Sequence, residues 1–159
     1  MPLTWNQHSL DKMAGLHPDL VKVLQKFATI TQIDCVIAQG VRTREYQYGL
    51  WRNSHEIDGS IIAGADWKTN CNGTPVGETS PEGSAGTGLS NHQGGHAVDI
   101  AVIIDGEANW DIQHYTALAG DMESAAAAVQ IPIVWGGSWL PPKTDSDHWE
   151  LNRAFYPTA

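Results

Sequence analysis

Residues 90–104, SNHQGGHAVDIAVII, run from a polar, glycine-containing turn into an almost continuous apolar segment. The segment 97–104 has the length and the β-branched composition of a buried central strand, and the Asp-Gly pair at 105–106 is typical of the turn that ends such a strand. Asp99 interrupts this apolar run. Because an unpaired carboxylate is costly to bury, Asp99 is expected to bind a metal ion, unless it caps a turn or pairs with Arg42.

Helices and further strands are predicted on both sides of this central strand. Apolar residues recur at helical spacing over 18–30 and again over 115–129, and a short helix is expected from about Thr43. Short apolar segments predict further strands at 33–39, 131–135 and 147–151. These elements predict a single α+β domain over residues 1–159, with helices packed on one face of a small, mainly antiparallel sheet.

The composition argues against a nucleic-acid partner. The 159 residues carry a formal net charge of −9 and give a pI near 5.0, without the clustered Lys and Arg that phosphate binding requires. No stretch approaches the roughly 18 apolar residues of a membrane span, and the N-terminus lacks a basic start followed by an apolar run. We expect a monomer that does not insert into a membrane and is made in the cytoplasm without a signal peptide.

The stretch from Arg52 to Ser90 is rich in Gly, Ser, Thr, Asn and Pro. Connections of this length in a small domain are usually functional, so a cleft-bordering loop is predicted over about 52–90. Cys71 falls in this loop, whereas Cys35 falls in an apolar segment and is expected to be buried. Two cysteines in such different settings do not indicate a disulfide framework.

A second polar segment, 144–151 (TDSDHWEL), also leads into a predicted strand. If this strand lies beside Asp99, alternation sends His148 to one face and Asp147 to the other. His92 precedes Asp99 by seven residues, and imidazole and carboxylate groups are common zinc ligands. This pattern makes His92, Asp99 and His148 candidate metal ligands.

Asp145 lies just outside the last predicted strand, three residues before His148. A carboxylate in this position could lean over the open side of a metal site and accept a proton from water, as a general base must. We prefer Asp145 to Asp147 for this role. His96 occupies a spacer position between the candidate ligands and is expected to stay unligated.

Four motifs occur in order along the chain. They are QGVRT at 39–43, SxHxxGxAxD at 90–99, WGGSW at 135–139 and DxxHWE at 145–150. Together they resemble the zinc peptidase family that contains the VanY- and VanX-type D-alanyl-D-alanine peptidases and the L-alanyl-D-glutamate endopeptidases of phage endolysins. The resemblance covers most of the chain and is similar in layout to single-domain phage endolysins. It implies the Hedgehog/D-Ala-D-Ala peptidase-like α+β fold.

The resemblance also implies roles for individual residues. The zinc ligands that it implies are His92, Asp99 and His148. Asp145 would be the catalytic base. Arg42 would face the cleft and bind a substrate carboxylate or stabilise the tetrahedral intermediate, and Ser90 would hydrogen-bond the substrate.

The function that the resemblance implies is hydrolysis of peptidoglycan stem peptides by a zinc metallopeptidase. The leading hypothesis is a phage endolysin L-alanyl-D-glutamate endopeptidase, made in the host cytoplasm, which acts on the cell wall after its release and lyses the host. The alternatives are a D,D-carboxypeptidase that removes terminal D-Ala and a non-catalytic, zinc-stabilised cell-wall-binding module. The stretch before Ser90 is longer and richer in glycine than we expect for the family, so the sequence leaves the cleaved bond open.

Overall fold

A computed structural model describes residues 1–53, 55, 82–83, 89–141 and 143–158. Cys71 and most of the loop predicted over 52–90 lie outside these residues. Within the described ranges, no helix combines the length and the apolar character needed to cross a membrane.

The central sheet is antiparallel at every pairing of its described strands. Its strands are β1 (Cys35–Gln39), β2 (Ala97–Ile104), β3 (Glu107–Asn109), β4 (Ile133–Trp135) and β5 (His148–Leu151). They lie in the order β1-β2-β5-β4, and β3 pairs with the far end of β2. Asp105 and Gly106 form the tight turn between β2 and β3, with positive φ angles of 53° and 83°.

Four helices accompany the sheet in the described part of the chain. They are α1 (Gln7–Met13), α2 (Pro18–Ile30), α3 (Arg44–Arg52) and α4 (Ile112–Val129), and a single 3-10 turn follows β4 at Gly136–Ser138. Pro18 occupies the first turn of α2, where its missing N–H needs no partner. Thr43 caps α3, because its hydroxyl oxygen accepts a hydrogen bond from the Tyr46 amide.

The hydrophobic core lies between α2, α4 and one face of the sheet. Val98, Ile100 and Val102 of β2 point into it and are at most 1% exposed. Strand alternation therefore turns Asp99 toward the other face. This arrangement confirms the predicted α+β fold, with helices packed against a small antiparallel sheet.

The strand register brings the polar residues of distant segments together. Asp99 of β2 lies opposite His148 of β5 on one side and opposite Gln39 of β1 on the other. The β1–β2 pairing contains an irregularity between Ile37 and Gln39, which shifts the end of β1 relative to Asp99. Three segments that are far apart in sequence thus meet around one carboxylate.

Two elements were not predicted, α1 and β3. The seven residues of α1 include few apolar side chains, and the helix is held by Asn6, whose side chain accepts from the Ser9 amide. Ser9 is itself fully buried, and its hydroxyl oxygen accepts a hydrogen bond of 3.0 Å from the backbone N–H of Ile37 in β1. Helix α1 therefore covers the outer edge of β1.

Candidate metal centre

His92, Asp99 and His148 converge on one point at the polar face of the sheet. His92 Nε2 lies 3.2 Å from His148 Nδ1 and 3.3 Å from Asp99 Oδ1, and His148 Nδ1 lies 3.0 Å from the same oxygen. The three residues are buried, with exposed fractions of 3% for His92 and 7% for each of the others. The structure thus brings together the three ligands predicted from the sequence.

The outer hydrogen bonds of the two histidines decide which ring nitrogen faces this point. His92 Nδ1–H donates to the Gly40 carbonyl oxygen at 2.9 Å, which leaves Nε2 with its lone pair. His148 Nε2–H donates to Glu150 Oε2 at 2.8 Å, which directs Nδ1 inward. Such outer partners fix the tautomer and the orientation of metal-binding histidines.

The spacing of the three inward atoms suits a tetrahedral zinc ion. Bonds of about 2.0–2.1 Å in a regular tetrahedron separate neighbouring ligand atoms by roughly 3.3–3.4 Å. The separations of 3.0–3.3 Å between the nitrogen and oxygen atoms are close to this value. A set of two imidazoles and one carboxylate is also a known catalytic zinc set, in which the fourth position stays open.

The charges at the site are tightly interdependent. Burial favours the neutral acid, but His92 and His148 outweigh it and hold the pKa of Asp99 well below its usual range. Burial lowers the pKa of His92 in spite of Asp99. Burial acts in the same direction on His148, but the hydrogen bonds to Asp99 and Glu150 prevail and raise its pKa to about 10. The two carboxylates therefore favour the protonated imidazole of His148 in the absence of a metal ion.

Arg42 lies beside the candidate metal ligands and is almost fully enclosed. Its side chain is 6% exposed. Its Nη2 lies 3.5 Å from Asp99 Oδ2, whereas the two histidines contact the other carboxylate oxygen, Oδ1. Nε donates to Gln39 Oε1 at 2.8 Å and Nη1 donates to Gln47 Oε1 at 3.3 Å. The two glutamines hold the guanidinium against Asp99, so the predicted cleft residue also orients a candidate ligand.

Two further carboxylates border the site. Oxygen atoms of Asp145 and Asp147 lie within 4.8 Å of each other and of Asp99. Both residues are half-buried and precede β5, which begins at His148. The expectation that strand alternation turns Asp147 away therefore does not apply, because Asp147 lies in the turn before the strand.

Backbone contacts at Gly136 fix the position of Asp145. The Asp145 N–H donates to the Gly136 carbonyl at 2.9 Å. A Cβ atom placed on Gly136 would lie 2.3 Å from the Asp145 carbonyl oxygen and 3.1 Å from His148 Cβ. The first glycine of the WGGSW motif thus permits a close approach that only glycine allows.

The remaining predicted residues lie around this centre. Ser90 is half-buried in the turn that leads to His92, and its carbonyl oxygen accepts from the Gln93 N–H. The ring of Trp139 lies 5.1 Å from that of His148 and forms part of the surrounding wall. Away from this centre, Cys35 is buried in the hydrophobic core, as predicted, and burial raises its pKa to about 12.

The roles of Gln39, Gly40 and Gly136 were not predicted. Gln39 and Gly40 belong to the QGVRT motif, in which a polar side chain ends an apolar strand. The position of this polar side chain at the end of an apolar strand was the signal from which a role for Gln39 could have been predicted. Gln39 contacts Arg42 within the motif, whereas the contact of Gly40 with His92 joins two distant motifs and follows from the tertiary fold.

Comparisons with known proteins agree with this geometry. A family model described as D-alanyl-D-alanine carboxypeptidase matches residues 83–151, which include the three candidate ligands and Asp145. No curated protein matches the chain significantly. The solved structure of the L-Ala D-Glu endopeptidase ChiX from Serratia marcescens is similar with a TM-score of 0.70 and 26% identity, over 97% of this chain and 93% of that chain.

Two further solved structures share the fold. VanYB in complex with D-alanine-D-alanine is similar with a TM-score of 0.53 and 20% identity, over 86% of this chain and 71% of that chain. The vancomycin-resistance D,D-dipeptidase VanXYg, in complex with a D-Ala-D-Ala phosphinate analogue, gives a TM-score of 0.50 and 18% identity, over 86% of this chain and 50% of that chain. Residues 83–151 thus match the D-alanyl-D-alanine carboxypeptidase family model, and the chain shares its fold with these peptidases.

Proposed function

We propose that the chain is a zinc-dependent peptidase that hydrolyses the L-alanyl-D-glutamate bond of peptidoglycan stem peptides. The observation that carries the proposal is the buried set of His92, Asp99 and His148, with further carboxylates beside it. The similarity to the Serratia marcescens endopeptidase over nearly the whole length of both chains supports the choice of bond.

Zinc, when bound, supplies a Lewis acid that polarises the scissile carbonyl and lowers the pKa of water. The protein contributes the ligands His92 Nε2, Asp99 Oδ1 and His148 Nδ1, which its outer hydrogen bonds hold in place. Burial of these groups excludes bulk water and strengthens each electrostatic interaction in the site.

Asp145 is proposed to accept the proton of the attacking water. Its carboxylate lies within 4.8 Å of that of Asp99 and its backbone is fixed by Gly136, so it can reach the open side of the metal site. Arg42 is proposed to stabilise negative charge on the carbonyl oxygen through its guanidinium. Ser90 is proposed to hydrogen-bond the substrate peptide near His92.

A D,D-carboxypeptidase activity is the second candidate. It is favoured by the description of the matching family model, and the fold is shared with VanYB, whose structure contains D-alanine-D-alanine. The two activities use the same metal site and differ in the bond that is presented to it. They therefore differ in their products.

Mass spectrometry of digested peptidoglycan tests the proposal. The zinc-loaded protein is incubated with purified cell walls, with the Asp145→Ala variant as a matched control. New peptides that begin with D-Glu are expected for the endopeptidase, whereas free D-Ala indicates the carboxypeptidase. If neither product forms, or if the zinc-loaded Asp145→Ala variant is equally active, the proposed function or the proposed base is wrong.

The phage endolysin role remains a prediction. Co-expression with a membrane-permeabilising phage protein in a bacterium with a susceptible wall is expected to lyse the cells, and the Asp145→Ala variant is not. Intact cells with the unchanged chain, under conditions in which isolated walls are digested, would contradict this role.

A further inference from the structure

The WGGSW motif at 135–139 borders the candidate metal centre, but the function proposed above uses only its first glycine, which positions Asp145. The last residue of the motif, Trp139, directly follows the 3-10 turn Gly136–Ser138. Its indole ring lies 5.1 Å from the ring of His148 and is tilted by 44° to it. Aromatic rings at this distance are in direct contact. Trp139 therefore touches a candidate metal ligand, although an indole offers no lone pair to a metal ion.

Backbone hydrogen bonds join Trp139 and His148 into one unit. The Gly136 carbonyl oxygen accepts from the Trp139 N–H at 3.2 Å and from the Asp145 N–H at 2.9 Å. The Asp145 carbonyl oxygen accepts in turn from the His148 N–H at 3.3 Å. The Thr144 hydroxyl donates to the Trp139 carbonyl oxygen at 2.6 Å and closes the loop between them. The backbone that carries the indole is thus fixed relative to the backbone that carries the imidazole.

The first tryptophan of the motif adds a second anchor. Trp135 Nε1–H donates to the Ser146 carbonyl oxygen at 2.8 Å, and the Trp135 ring stacks on that of Trp149 in the core, with 6.4 Å between the ring centroids. A Cβ atom placed on Gly137 would lie 2.2 Å from a ring carbon of Trp135, so glycine lets the chain pass close to this ring. The turn that presents Trp139 is therefore held from both sides.

The ring of His148 is enclosed, with only 7% of the residue exposed. Asp99 contacts Nδ1 and Glu150 contacts Nε2, so these partners fix the direction in which the ring points. Trp139 is half-buried, and the next residue, Leu140, is 84% exposed. The indole thus stands between the imidazole and solvent. Because protein interiors are closely packed, the imidazole cannot rotate into space that the indole occupies.

We propose that Trp139 is a positioning residue that retains the metal ion, because its indole blocks the rotation by which His148 would leave that ion. A bound ion is released only when its ligands detach, and a ligand that cannot turn away detaches slowly. Outer hydrogen bonds orient the ring, and the packing contact with Trp139 keeps it in place. The inference rests on the metal centre of the proposed function and not on the bond that is cleaved.

The rate of zinc release, measured without substrate, tests the proposal. The zinc-loaded protein is mixed with an excess of a chromophoric chelator, at concentrations where the rate no longer depends on the chelator. Trp139→Ala should release zinc about three- to tenfold faster, because the ring contact is lost, whereas Trp139→Phe keeps a ring and should differ by less than about twofold. Trp110→Ala is the matched control, since Trp110 stacks on Tyr115 next to β3, which pairs with the far end of β2.

Peptidase kinetics at full zinc occupancy separate metal retention from substrate contact. On a peptide that the unchanged chain cleaves, Trp139→Ala should keep the KM of the unchanged chain. A raised KM would make the indole a substrate contact and overturn the proposal. An unchanged release rate, or an equal increase for Trp110→Ala, would also overturn it.

The proposed function and the role of Trp139 can fail separately. If the unchanged chain binds zinc but cleaves no wall peptide, the proposed function fails, and the release rates still decide the role of Trp139. If the unchanged chain binds no zinc, both are wrong. If Trp139→Ala does not fold, Trp139→Leu should release zinc faster than Trp139→Phe. Thr144→Val, which lacks the hydroxyl that holds the Trp139 carbonyl, should release it about two- to tenfold faster than the unchanged chain. Failure of both expectations rejects the proposal.

Discussion

The ring of His148 contacts a carboxylate through each of its nitrogens. Nδ1 lies 3.0 Å from Asp99 Oδ1 and Nε2 lies 2.8 Å from Glu150 Oε2. Glu150 itself is 7% exposed, and the interaction with His148 lowers its pKa in spite of burial. The carboxylate of Glu150 therefore fixes the ring so that Nδ1, rather than Nε2, faces the metal position.

Loss of Glu150 is expected to weaken metal binding. Zinc affinity of the Glu150→Ala variant should fall about 10–100-fold, because the ring of His148 loses the partner that orients it. Glu150→Gln keeps an oxygen acceptor, so its zinc affinity should lie between that of Glu150→Ala and that of the unchanged chain. Competition with a chromophoric chelator measures the affinity, with Glu123→Ala on the exposed face of α4 as control. Equal affinities of Glu150→Ala and the unchanged chain would contradict this role.

Asp145 and Asp147 both have a carboxylate oxygen within 4.8 Å of Asp99, and substitution separates their roles. For Asp145→Asn, kcat on a cleaved peptide is expected to fall by about 10²–10⁴, because the variant cannot accept the proton. For Asp147→Asn, kcat should fall less than about tenfold if Asp145 alone is the base. Steady-state kinetics on both zinc-loaded variants decides the assignment. The reverse order of the two effects would make Asp147 the base.

At the scale of elements, the turn at Gly136–Ser138 controls the segment that carries Asp145 and His148. Gly136→Ala is expected to reduce stability by about 1–3 kcal/mol, because the added methyl group has no room between the Asp145 carbonyl and His148 Cβ. Gly120→Ala is the control, since nothing lies within 4 Å of its Cβ position inside α4. This control should raise stability by about 0.5–1 kcal/mol.

Urea unfolding measures the stability of both glycine variants, and peptidase kinetics measure their activity. Activity should fall with Gly136→Ala under conditions in which the protein remains folded. An unchanged kcat in a folded Gly136→Ala variant would show that the turn does not position the base.

The sequence predicted the long apolar elements β2, α2 and α4 and also the shorter β1, α3, β4 and β5. Strand β2 was predicted with its observed bounds, and α2 and α4 follow from apolar residues on one face. The missed helix α1 depends on the cap at Asn6 and on burial of Ser9 against β1, and neither contact produces a periodic pattern. Strand β3 has three residues and exists because the Asp-Gly turn returns the chain to β2.

The site was predictable to the extent that its chemistry is visible in single residues. Asp99 was identified from the cost of burying a carboxylate in an apolar strand, whereas the ligands His92 and His148 rested mainly on the family resemblance. Glu150, which orients the ring of His148, is a local partner two residues away on the same strand. The orientation of the His92 ring was not predictable, because its partner Gly40 lies 52 residues away in the sequence. Tertiary contacts supply this information, and local patterns do not.

For the whole molecule, the raised pKa of His148 makes stability depend on pH. The pKa of His148 is about 10 in the folded chain and 6.5 when unperturbed. Because the folded chain binds this proton more tightly, protonation stabilises the metal-free protein. This contribution is complete below about pH 6.5 and is lost as the pH rises toward 10. From about pH 7 to 8.5, the free energy of unfolding of the metal-free protein should fall by up to about 1.4 kcal/mol per pH unit.

Urea unfolding at several pH values measures this dependence. The lowered pKa values of Asp99, Glu150 and His92 leave these groups in one charge state over the same range. The zinc-loaded protein is the control, because its Nδ1 position carries no proton and the decline should be absent. A flat profile for the metal-free protein would show that His148 is not protonated there.

The contact between Ser9 and β1 has a consequence for solubility. An outer strand with free amide groups is a template on which other chains can add strands and aggregate. Here the hydroxyl of Ser9 already accepts from the Ile37 amide, and α1 covers that edge. Helix α1 therefore protects β1 from intermolecular strand pairing, and its loss would expose a ready site for fibril growth beside the candidate metal centre.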